Sequence, residues 1–76
     1  MSKVLEILHE IRPEFDFAAS DDFFEDAALD SFDLVTLVSA LDQTYEISID
    51  GMDIAPANFA NVKAIEALLT RNGVTP

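Results

Sequence analysis

The sequence predicts an all-α fold: a small four-helix bundle of three main helices, with a short third helix before the last. Three observations carry this. Three stretches repeat apolar residues at helical spacing, and each is bounded by a capping or helix-breaking residue. The one alternating stretch, Glu46-Ile47-Ser48-Ile49, has no second strand to pair with. The 76 residues form one domain, 1–76. Half of them are hydrophobic, enough for a core and too many for wholesale disorder.

The first helix runs from Ser2 to about Arg12, with Val4, Leu5, Leu8 and Ile11 on one stripe and Ile7 beside it. Pro13 ends it, having no amide hydrogen and disfavouring helical geometry in the residue before it. Glu14 to Leu29 is a long acidic loop without a sustained period, for which Phe15, Phe17, Phe23 and Phe24 are the expected anchors. The second helix spans Ser31 to Tyr45. Asp30 caps it, Asp33 suits its positive end, and Leu34, Leu37, Val38, Leu41 and Tyr45 form its stripe. A second line on another face, Phe32 and Val35 toward Ser39, is unexplained by a simple core. An extended linker then buries Ile47 and Ile49. Pro56 starts a short helix, Ala57 to Ala60, that turns Phe59 inward. Asn61 caps the last helix, whose stripe is Val62, Ile65, Leu68 and Leu69. Arg71 lies in its last turn and Gly73 stops it.

Charge narrows the function. The net charge is -11, and no lysine or arginine lies between Pro13 and Val62, where twelve of the fifteen acids fall. Such a surface repels phosphate backbones and anionic lipid, which argues against nucleic-acid and membrane roles, and it steers toward basic patches on partner proteins. The same acids also serve solubility alone. No apolar run approaches the roughly 20 residues of a bilayer span, and the N-terminus lacks a signal-peptide pattern. With no cysteine there is no disulfide framework or thiolate site, and a cytoplasmic monomer is expected.

Catalytic constellations are missing. His9 is the only histidine, so a two-histidine metal site is impossible, and a lone helical histidine is more often a half-buried side chain than a base. Ser31 lacks a G-x-S-x-G context and an obvious base. An EF-hand starting at Asp22 fails, with Phe24 at a ligand position and Ala27 where glycine is required. The chain has two glycines and no phosphate-binding glycine loop. No metal site and no enzymatic activity are expected.

What remains is Asp30-Ser31. A serine at the first helical position projects its hydroxyl beside amides that have no intrahelical partner, in the favourable field of the helix start. As a dipeptide this is far more often an ordinary cap. The run Asp30-Ser-Phe-Asp-Leu-Val-Thr-Leu-Val-Ser-Ala-Leu-Asp42, however, resembles the D-S-L motif and following helix of the acyl carrier protein family. Tyr45-Glu-Ile-Ser-Ile is similar to that family's F-x-I-x-I stretch, and Pro56 to Phe59 with Asn61-Val62 and Ile65 resemble its short third helix and the start of its fourth. Phe32 departs from the usual leucine. Thr36 and Gln43 stand where fatty-acid carriers often have acids, which looks similar to specialised stand-alone carriers of polyketide, nonribosomal-peptide or aminoacyl pathways.

The resemblance implies that Ser31 receives 4′-phosphopantetheine from coenzyme A through a phosphopantetheinyl transferase, and that a loading enzyme charges the resulting thiol with an acyl or aminoacyl group as a thioester. Downstream synthases of fatty-acid, polyketide or related biosynthesis are the other expected partners. Asp30, Phe32, Asp33, Val35, Ser39 and Asp42 are the expected partner-binding residues. Leu34, Leu37, Leu41, Ile49, Phe59 and Ile65 serve either as core or as the lining of an acyl-chain pocket. The rival reading is an unmodified acidic helical module that binds a basic partner.

Overall fold

A computed structural model describes residues 3–75. It is all-helical, with helices α1 (Lys3–Ile11), α2 (Ser31–Tyr45) and α3 (Val62–Arg71), and no strand among the described residues. Ser2, where the first helix was expected to start, lies outside them.

α1 buries Val4, Ile7 and Leu8, while Leu5 and Ile11 are half-buried against the core. The Arg12 amide still reaches the Leu8 carbonyl at 2.9 Å, and Pro13 then removes the next donor. α2 is about 22 Å long at ~1.5 Å per residue and buries Leu34, Leu37, Val38 and Leu41. It ends at Glu46, which takes the left-handed conformation at φ 54° and lets the Ile47 amide donate to the Asp42 carbonyl at 3.1 Å. In α3, the Asn61 side chain accepts the Ala64 amide at 2.7 Å and Ile65, Leu68 and Leu69 are buried. Its end is a Schellman motif. Gly73 adopts φ 81°, its amide bonds the Thr70 carbonyl at 3.0 Å, and the Val74 amide bonds the Leu69 carbonyl at 2.9 Å.

Leu8, Leu37, Leu41, Ile65, Leu68 and Leu69 fill the space between the helices, joined by Phe17, Phe23 and Phe59 from the connecting segments. Each such side chain contributes about 1.5–3 kcal/mol by leaving water. The phenylalanines of the first connection hold it down as expected. Phe17 meets Phe23 edge-on at 5.0 Å and 89°, and Phe15 packs against Phe17 at 5.0 Å. Within this connection Phe17–Ala19 forms a 3-10 turn.

The later part of the connection is fastened to the residues that precede α3. The Phe23 amide donates to the Ala60 carbonyl at 2.6 Å, and Asn61 Nδ2 donates to the Asp21 carbonyl at 3.1 Å. The Phe23 carbonyl accepts both the Ala28 amide, at 2.8 Å, and the Leu29 amide, at 3.1 Å. Between them Ala27 sits at φ 59°, a left-handed conformation that costs a residue with a Cβ about 1–2 kcal/mol.

The short helix expected at Ala57 to Ala60 is not an α-helix. The chain instead makes two single 3-10 turns, Gly51–Asp53 and Pro56–Asn58. Two restraints explain this. Phe59 leaves helical geometry at φ -127°, with its ring fully buried, and the Ala60 carbonyl is spent on Phe23. A segment of four residues lacks the length to propagate a helix against those restraints. Ile49 is buried and Ile47 half-buried along the extended linker. No helix among the described residues is long and apolar enough to cross a membrane.

Candidate functional site

The start of α2 is built by two aspartates that hold each other. Asp30 is extended (φ -123°, ψ -174°), so its side chain turns back over the first turn, where Oδ1 accepts the Asp33 amide at 2.9 Å. In return, Asp33 Oδ2 accepts the Asp30 amide at 3.3 Å, closing a capping box. The Leu34 amide donates to the Asp30 carbonyl at 2.9 Å as the first α-helical bond. Two donors near the helix start are thereby satisfied. The amides of Ser31 and Phe32, in the first turn, have no intrahelical acceptor.

Ser31 is the first residue of α2 and is exposed. Its hydroxyl thus stands at the positive end of a helix dipole, a place that favours an attached anionic group. The one histidine is engaged elsewhere, with its ring 5.9 Å from that of Phe17. No group of three His, Cys, Asp or Glu residues able to hold a metal ion occurs among the described residues.

The second apolar line of α2 faces solvent. Phe32 is 78% and Val35 64% exposed, and Ser39 is exposed at the next position of the same stripe. The acids expected around this face divide into two kinds. Asp30 is exposed. The Asp33 carboxylate is only 14% exposed and receives Arg12 Nη2 at 2.9 Å. Asp42 is half-buried, and its Oδ1 accepts the Ile49 amide at 3.0 Å. Asp33 and Asp42 therefore have internal work as well as charge. The hydrogen bond to Asp33, and then the charge of that carboxylate, hold the Arg12 guanidinium protonated above even its ordinary high range.

Sequence reasoning missed two features. The contact between Arg12 and Asp33 joins residues 21 positions apart, for which no local pattern exists. The reciprocal cap, in contrast, was legible as an acid three residues after a capping aspartate. Met52 is 91% exposed and Ile54 partly so, in a turn where no periodicity announces which side chains face out.

Compared with protein-family models, residues 2–69 match the family described as phosphopantetheine attachment site. No curated protein and no solved structure matches the chain. The match spans most of the chain, which therefore belongs to that family: a carrier on which 4′-phosphopantetheine is covalently attached, and not an enzyme.

Proposed function

We propose that Ser31 is the attachment point of the carrier's 4′-phosphopantetheine, and that the chain passes acyl or aminoacyl groups between enzymes of fatty-acid, polyketide or related biosynthesis. The observation that carries this reading is the exposure of Ser31 at the capped start of α2. The residues fit the group. The hydroxyl is open to an enzyme, and the amides of the first turn lie ready for a phosphate. In the attachment step Ser31 Oγ bonds to the phosphorus nearest the pantetheine of coenzyme A. The phosphoanhydride bond breaks, adenosine 3′,5′-bisphosphate leaves with the electron pair, and the hydroxyl proton passes to a base of the transferase. The attached group supplies a thiol that the chain itself lacks and that holds cargo as a thioester.

The protein's own contribution is placement. Phe32, Val35 and Ser39 form the apolar centre of a docking face, with Asp30, Asp33 and Asp42 as acids along it. Transferase, loading enzyme and synthases dock there weakly, because a carrier must leave each partner. Tethering raises the cargo's local concentration to the millimolar range, on the order expected for a short flexible link. We read the two 3-10 turns before α3 as the reduced fourth element of a four-helix carrier fold.

Intact mass after incubation with coenzyme A and a broad-specificity transferase tests this. Wild type gains one phosphopantetheine, Ser31→Ala gains none, and Phe32→Asp folds but is modified at least several-fold more slowly. An unchanged mass with a transferase shown to be competent on another carrier removes the reading and leaves the unmodified interaction module.

A further inference from the structure

Arg12 is the one lysine or arginine between Lys3 and Lys63. Its backbone closes α1 through the bond to Leu8, and Pro13 fixes the chain immediately after it. Its side chain, 38% exposed, crosses to the start of α2 and donates Nη2 to Asp33 Oδ2 at 2.9 Å. That same oxygen accepts the Asp30 amide in the capping box. Ser31 lies between the two members of the box, so whatever holds Asp33 also holds the backbone that aims the Ser31 hydroxyl. The second nitrogen, Nη1, is 3.9 Å from Glu14, an exposed and weaker contact that leaves donors to spare.

We propose that Arg12 is a positioning residue for the modification of Ser31. It locks Asp33 so that the capping box presents the hydroxyl in one orientation. The guanidinium fork suits this duty, since its planar donors match a carboxylate. This inference rests on Ser31 being the attachment point.

The test compares wild type, Arg12→Gln, Arg12→Lys, Asp33→Asn and the double variant Arg12→Gln/Asp33→Asn. The rate of mass gain with coenzyme A and transferase is measured at temperatures where circular dichroism shows full helix content. Arg12→Gln is expected to lower kcat about tenfold with KM for the carrier within twofold, and Arg12→Lys to recover part of the loss. Because Arg12 acts through Asp33, the double variant should be no slower than the slower single one. In two-dimensional amide spectra of Arg12→Gln, the Asp30 and Asp33 resonances should shift while those of α3 stay in place.

A folded Arg12→Gln that is modified at the wild-type rate overturns the proposal and leaves the attachment reading intact, whereas an unmodified wild type removes that reading itself. Effects that multiply in the double variant overturn the route through Asp33. Should Arg12→Gln fail to fold, Arg12→Lys decides: reduced kcat with full helix content supports the proposal, and unchanged kcat overturns it.

Discussion

At the scale of single residues, some positions carry a local cost. Tyr45 places its hydroxyl in the interior, where no described residue receives it or donates to it. Burial first, and then the charges of Glu66 and Glu6, push its ionisation above the usual range. A phenol whose native pKa is raised stays protonated after the unfolded chain has begun to ionise. Its contribution to stability is therefore fully present at neutral pH, begins to fall above about pH 10, and is lost through the folded pKa. Tyr45→Phe removes an unsatisfied polar atom and this penalty together. Its thermal midpoint should equal or exceed that of wild type at pH 7, with the gap widening above pH 10. A gap that narrows in alkali would show that the folded state favours the phenolate and overturn the upward shift. Ala27 is a second such position, since a left-handed alanine four residues before Ser31 is sustained by the paired amides of Ala28 and Leu29 on one carbonyl.

At the scale of elements, α2 turns one apolar line to the core and another, Phe32 and Val35, to solvent, and the sequence displayed them unequally. The inward stripe was legible because Leu34, Leu37, Val38 and Leu41 repeat at the helical period. The boundaries of α2 and α3 were legible because Asp30 and Asn61 are strong caps and Gly73 a strong stop. The start of the site could be read for the same reason, with Ser31 standing immediately after a cap. The 3-10 turns were not legible, because the carbonyl of Ala60 is claimed by Phe23 from a distant part of the chain. Asp42 illustrates the same limit. Read as a surface acid, it also fastens the linker through the Ile49 amide. Asp42→Ala should therefore cost about 1–2 kcal/mol in urea unfolding, while Asp42→Asn, which keeps an acceptor oxygen, should cost less than half as much. Equal losses in the two variants would mean that the charge, and not the hydrogen bond, does the fastening.

At the scale of the whole molecule, eleven excess negative charges surround a domain of 8.3 kDa. Self-repulsion opposes compaction, and the same field attracts positively charged surfaces. Both effects weaken with salt, whose screening length is about 8–10 Å near physiological strength. Raising sodium chloride from 20 to 300 mM (roughly a fourfold shorter screening length) should lift the thermal midpoint while lowering kcat/KM for modification. Scans and initial rates on one preparation would check both directions. A modification rate indifferent to salt would place the partner contacts on the apolar centre of α2 alone.

The lacing of Phe23 to Ala60 and of Asn61 to Asp21 also decides how far this protein could be trimmed. A peptide holding only α1, its connection and α2 would still contain the serine and both aspartates, yet it would lack the far anchor of the segment that delivers the chain to them. The segment leading into α2 and the residues before α3 are thus fastened to each other, and a minimal tag cut from the first would inherit its letters without its posture.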